Sequence, residues 1–235
     1  LIAGLPHQTA ESWEFSVAEA IATSAPHVSV YMLEVDDDSR LGRELMAGGT
    51  KYHAHFVPND ELTADFYEAA CQRLNAAGVC QYEISNFACV GKESRHNLKY
   101  WMRQPYMGFG VDAHSMLCSS LKAGESVRFS SPDSLEEYVA GASHQKTAVS
   151  KNSAIEEAFF LGLRLTKGVD LKEIATDFGE PALRAFTEPI SECVDLGLLE
   201  CEGDVVRLTG RGRLLSNEVF ERFILCGSDT PVRRR

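Results

Sequence analysis

Two hydrophobic periods alternate along the first half of the chain. Leu1 to Leu5 is a short apolar run closed by Gly4 and Pro6, the composition of a buried parallel strand. Thr9 then stands as a helix cap, and Ala10, Trp13, Val17, Ala20 and Ile21 repeat at helical spacing to about Ser24. Pro26 ends that repeat, and Val28 to Val35 is β-branched and apolar enough for one strand. Strand, helix, strand at this spacing predicts a βαβ unit with a right-handed crossover, of the kind that builds a (β/α) barrel or part of one. Asp60 to Ala77 predicts another helix, with Leu62, Phe66, Ala69, Ala70 and Leu74 on one stripe and Gly78 as its stop. Gln81 to Ile84 predicts a further strand that delivers Ser85 and Asn86 to its end.

The second half reads differently. From about Leu117 to Ser150 the pattern weakens: Cys118-Ser119-Ser120 and Ser130-Ser131-Pro132 are turn-rich, around a short strand at Val127 to Phe129 and a short helix from Asp133 to Ala140. From Ser153 helices dominate, at Ala154 to Leu165, Leu171 to Phe178 and Leu183 to Asp195. A hairpin follows, Gly197 to Glu200 and Val205 to Thr209 around Glu202-Gly203-Asp204, and Gly212 to Phe223 closes the chain with a helix. The expected architecture is α/β: a partial barrel over residues 1–116, a connector over 117–149, and a small helical, winged-helix-like domain over 150–235.

Helices followed by a hairpin raise the class of nucleic-acid-binding regulators. Charge argues against it. The chain carries a net charge of −11 with a pI near 5.1, and residues 151–235 hold 12 basic against 15 acidic side chains. The helix before the hairpin, Leu183 to Asp195, presents Glu188, Glu192 and Asp195 against one Arg184, and Arg233-Arg234-Arg235 is too short a tail to supply the basic face that phosphate binding needs. No run approaches the ~18 apolar residues of a membrane span, and no basic n-region opens the chain. The expected location is cytoplasmic; a peripheral contact with a membrane is left open. The seven cysteines are odd in number and never spaced C-x-x-C, so they are expected to be reduced and mostly buried. Asp36-Asp37-Asp38 lacks the glycine and glutamate of a calcium loop and reads as a solvated turn. His53 and His55 have no third metal ligand nearby in sequence and read as a surface loop.

The densest chemistry runs from Glu93 to Ser115. Arg95, His96, Asn97, Tyr100 and Trp101 fall within seven residues, followed by Gly108 and Gly110 around Phe109, then His114. Arg, His and Asn bind or orient ligands, and two large aromatics beside them offer flat apolar area for a planar ligand. Core aromatics, a structural histidine and a strand bulge are the alternative for each residue taken singly.

This segment, H-N-L-K-Y-W followed by G-F-G-V-D-A-H-S, resembles the H-N-x-x-Y-W and G-x-G-x-x-A-H-S stretch of HemW-type haem chaperones, relatives of the oxygen-independent coproporphyrinogen III oxidases in the radical SAM superfamily. Leu1 to Thr9 (L-I-A-G-L-P-H-Q-T), Tyr82 to Ala88 (Y-E-I-S-N-F-A), and Leu208 to Gly212 with Asn217 resemble three further family stretches in the expected order. The resemblance implies a C-terminal portion of a radical SAM partial barrel, a haem-binding chaperone function or, as the alternative, oxidation of coproporphyrinogen propionates. It implies a [4Fe-4S] cluster and S-adenosylmethionine in the full-length protein. The C-x-x-x-C-x-x-C that would hold the cluster is absent, and Leu1 stands where the family has residues before it, so the resemblance implies a fragment whose cluster ligands lie upstream. By the same resemblance Tyr31 and Glu34 face the S-adenosylmethionine pocket. Haem is expected at His96, as iron ligand, with Asn97, Tyr100 and Trp101 around it and Arg95 or Lys99 at the propionates; His114 is the next candidate ligand. The protein that accepts haem is not named by any residue.

Overall fold

The computed structural model describes residues 1–118 and 125–225. Ser119, Ser120, Cys226 and the Arg233 to Arg235 tail lie outside the described residues. Two compact units divide at 94/95, earlier in the chain than the boundary at 116 expected from sequence.

In the first unit, β1 (Ile2–Ala3) leads into α1 (Ala10–Ala22), whose capping box joins Thr9 and Ser12 reciprocally. The crossover returns through β2 (His27–Ser29) to β3 (Tyr31–Met32), and β1 pairs with β3 in parallel, Ile2 opposite Tyr31. Next come α2 (Arg40–Ala47), a 3-10 turn at Ala54–Phe56, and α3 (Asp60–Ala76), capped by the Asn59 side chain. The short strands β4 (Cys80–Gln81) and β5 (Asn86–Ala88) complete the unit. The stripes read from sequence form its core: Trp13 and Val17 of α1 are buried, as are Phe66, Ala70 and Leu74 of α3. The Trp13 indole N–H donates to the Phe66 carbonyl at 2.6 Å, so the one polar atom of that ring is satisfied.

The single strand expected at Val28 to Val35 is two. Its first part pairs antiparallel with β5, in a sheet ordered β2-β5-β4, and its second part pairs with β1. Asn86, expected at the end of a strand, instead begins β5 and is buried. The stretch Y-E-I-S-N-F-A folds as a hydrogen-bonded knot. The Glu83 carboxylate accepts from Ser85 N–H at 3.1 Å and from the Asn86 amide, and the Tyr67 hydroxyl donates to the Ile84 carbonyl. Tyr82 Oη accepts from Ser94 N–H at 3.2 Å and shares a 2.9 Å hydrogen bond with His27. Burial raises the Tyr82 phenol above its ordinary pKa, against the pull of the Ser94 amide.

The second unit starts with α4 (Arg95–Trp101). The stretch expected to be a connector is a three-stranded antiparallel sheet, β6 (His114–Cys118), β7 (Ser126–Ser130) and β8 (Gln145–Val149), with α5 (Leu135–Val139) between the last two. Then follow α6 (Lys151–Gly162), β9 (Val169–Asp170), α7 (Leu171–Phe178), α8 (Glu180–Arg184) and α9 (Thr187–Asp195). The hairpin β10 (Leu199–Glu202) and β11 (Val205–Leu208) takes β9 as a third strand. The last helix expected is two, α10 (Gly210–Leu214) and α11 (Ser216–Arg222). Phe159, Phe186 and Phe223 stack at the centre, with ring centres 4.5 and 5.1 Å from Phe159.

The cysteines depart from expectation. Among the described residues Cys193 is buried, Cys71 and Cys89 are partly covered, and Cys80, Cys118 and Cys201 are exposed; none of these six is in a disulfide. The last three sit on short strands at sheet surfaces, where a small side chain is not drawn into a core. No helix among the described residues is long and apolar enough to cross a membrane.

Candidate functional site

Residues Arg95 to Trp101 form two turns of helix, and helical spacing sorts their side chains onto different faces. His96 and Tyr100, four apart, meet edge to face with ring centres 5.0 Å apart, and Nε2 of His96 lies 3.2 Å from the Tyr100 hydroxyl. Tyr106 packs against Tyr100 at 4.6 Å, extending the aromatic strip. His96, Arg95 and Lys99 are exposed, and Asn97 is half-buried.

Trp101 turns the other way. Its ring lies under the Arg164 guanidinium, 4.4 Å from the ring centre, and the same guanidinium reaches Phe220 at 5.9 Å. Its indole N–H is buried without a hydrogen-bond partner among the described residues. A cleft of about 420 Å³ opens beside this tryptophan, lined also by Arg103, Lys167, Ile174 and Phe178. The sequence grouped Trp101 with His96 and Tyr100; the helix separates them.

The chain leaves α4 through a device that no sequence pattern signalled. Arg103 takes a left-handed backbone, φ 48°, and its Nε donates to Glu157 Oε2 at 2.9 Å. Arg128 of β7 donates to the other oxygen of Glu157 at 2.6 Å, and the carboxylate is 3% exposed. Two guanidiniums therefore clamp one buried carboxylate and tie the residues after α4 to α6 and the sheet. The glycines of G-F-G-V-D-A-H-S have separate reasons. A Cβ on Gly108 would overlap the His114 carbonyl oxygen, whereas Gly110 has open space but sits at φ 109°. Between them Phe109 is 84% exposed, and His114 stands at the start of β6 with Asp112 Oδ1 3.6 Å from its Nε2.

Tyr31 and Glu34 belong to the first unit. Tyr31 lies on β3 and Glu34 just after it, and both side chains are exposed. They stand at the C-terminal end of the parallel pair, where barrels of this type place their chemistry. Among the described residues no group of three His, Cys, Asp or Glu side chains could hold a metal ion, so these residues do not fit a [4Fe-4S] cluster.

Comparison with known proteins gives a consistent set of relatives. The HemN C-terminal domain family matches residues 149–215. The haem chaperone HemW of Bacillus subtilis (strain 168) is 34% identical over 226 residues, covering 95% of this chain and 58% of that protein. The HemW of Mycobacterium tuberculosis (strain H37Rv) is 32% identical over 227 residues, again 95% of this chain and 54% of the relative. The chain thus spans a little over half the length of the curated relatives it matches. Coproporphyrinogen III oxidase (HemN) from Escherichia coli, a radical SAM enzyme, superposes with a TM-score of 0.71 at 19% identity, over 95% of this chain and 53% of that one. At that identity the likeness is one of fold: an α/β chain folded as the C-terminal part of a radical SAM enzyme.

Proposed function

From its membership of the HemW-type family of radical SAM proteins, we propose that the chain takes part in haem binding and delivery, with haem as cargo held against the exposed face of α4. The observation that carries the reading is the pairing of His96 with Tyr100 on a solvent-facing strip, flanked by exposed Arg95 and Lys99. An imidazole is the commonest protein ligand of haem iron, tyrosine rings suit a porphyrin face, and cations at either side match the propionates. In this reading Nε2 or Nδ1 of His96 ligates iron, Tyr100 and Tyr106 wall the ring, and Asn97 steadies the helix. Trp101 supports from below, through its contact with Arg164, rather than by touching cargo.

S-adenosylmethionine and the cluster belong to the same proposal for the full-length protein, with Tyr31 and Glu34 on the S-adenosylmethionine side. When bound they supply radical chemistry; the residues described here position and hold cargo. The oxidase alternative has behind it the fold likeness to HemN and the match of residues 149–215 to the HemN C-terminal domain family. The acceptor of haem is a protein not identified by these residues.

Haem titration followed by the Soret band tests the assignment. His96→Ala is expected to lose or shift the band, while His27→Ala, in the other unit, leaves it unchanged. Wild-type binding by His96→Ala overturns the ligand role and moves it to His114.

A further inference from the structure

Four aromatic rings gather in the first unit, where the turn after β1 meets the loop before α3. His7 stacks on Phe56 with ring centres 4.0 Å apart, His55 covers Phe56 at 4.3 Å, and His53 stands 5.1 Å from His7 with its plane inclined by 59°. Apolar packing accounts for His7 and His55, which both lie against the phenyl ring. It does not account for His53, which is exposed, lies 6.2 Å from Phe56 and faces the other imidazole.

Both histidines of that pair are held from the backbone. His7 and His53 adopt left-handed conformations, φ 61° and 59°, which residues with a Cβ seldom take. The His7 N–H donates to the Phe56 carbonyl at 3.0 Å and so joins the two loops. On the His53 side the buried Glu44 carboxylate accepts from the N–H groups of Tyr52, at 2.7 and 2.8 Å, and Ala54, at 3.3 Å, fixing the residues before and after it. The pair is therefore presented by two anchored turns.

We propose that His7 and His53 form a two-imidazole site for a borderline divalent transition ion such as Zn²⁺. Bonds of ~2.0–2.1 Å meeting at a tetrahedral angle, with each ring centre ~1.1 Å behind its nitrogen, place two imidazole centres ~5.2 Å apart. The observed 5.1 Å between ring centres matches that spacing. Neutral imidazoles suit zinc, nickel and copper and discriminate against magnesium and calcium, which take oxygen ligands. Two protein ligands leave two positions open, for water or for an oxygen donor of a small anionic ligand. This goes beyond the haem reading and is independent of it, since neither histidine lies in α4.

Calorimetric titration of chelator-treated protein with Zn²⁺ tests the site. The expected result is one ion per chain, bound at least tenfold more weakly by His7→Asn and by His53→Asn, with His55→Asn and His96→Ala unchanged. Asparagine is used because it tolerates the left-handed backbone. In the parent protein, paramagnetic Co²⁺ is expected to broaden the ring-proton resonances of His7 and His53 and spare those of His27 and His96, a readout that survives if a variant fails to fold. No saturable binding by the parent, binding that persists in both variants, equal loss in His55→Asn or His96→Ala, or broadening that leaves His7 and His53 sharp overturns the proposal.

Discussion

At the scale of single residues, a hydrogen bond competes with the proposed ligand role of His96. The Tyr100 hydroxyl occupies Nε2 at 3.2 Å, so iron entering at that nitrogen displaces it. Tyr100→Phe removes the competitor and keeps the ring, and is expected to tighten haem binding by about two- to tenfold, the equivalent of one exposed hydrogen bond; equal or weaker binding in the same Soret titration places the iron on Nδ1 or elsewhere. The Glu157 clamp gives a stability prediction. Glu157→Ala leaves Arg103, whose side chain is 11% exposed, without its counter-charge, and should cost about 3 kcal/mol in denaturant unfolding. Arg128→Ala removes a partner that is 40% exposed and should cost under about 1 kcal/mol. The motif residues were legible in sequence, because H-N-L-K-Y-W is a family pattern. Arg103, His7 and His53 were not: left-handed backbone at a residue that is not glycine leaves no compositional trace.

At the scale of elements, legibility followed length and burial. Helices α1, α3 and α7 and the β10–β11 hairpin were readable because each buries one face and carries caps or turns of recognisable chemistry. Strand β8 is exposed at four of its five positions and β6 at three, so neither alternates and the sheet was taken for a connector. Helix α4 is seven residues long, too short to establish a period. The loop between α2 and the 3-10 turn illustrates order without hydrophobic content. Burial opposes charge on Glu44, yet the N–H groups of Tyr52, Ala54, Lys51 and His53 outweigh it and hold the carboxyl below its ordinary range. A carboxyl depressed in the folded state stabilises above its unfolded pKa, and that contribution is lost as pH falls through the folded one. Glu44→Gln is therefore expected to lower the denaturant midpoint at pH 7, with the difference from wild type shrinking as the solution is taken below the usual carboxylate range. A difference that stays constant with pH shows that the lost packing, not the charge, matters.

At the scale of the molecule, the family was legible from four ordered stretches, whereas the division at 94/95 was not, because the contacts that gather α4 and the β6–β7–β8 sheet into the second unit are long-range. Cysteine spacing sets one expectation for the 235 residues as a whole: none of the seven lies in a C-x-x-x-C-x-x-C triplet, so anaerobic reconstitution should yield no stable cubane absorbance. About four irons per chain with that absorbance would contradict it. The two tryptophans carry a practical consequence. Trp13 is sealed in the first unit and hydrogen-bonded to Phe66, while Trp101 lies under a guanidinium in the second. Each unit thus contains its own intrinsic fluorophore. Trp13→Phe leaves emission from Trp101 alone, whose quenching by energy transfer to an added porphyrin would report cargo arriving at α4.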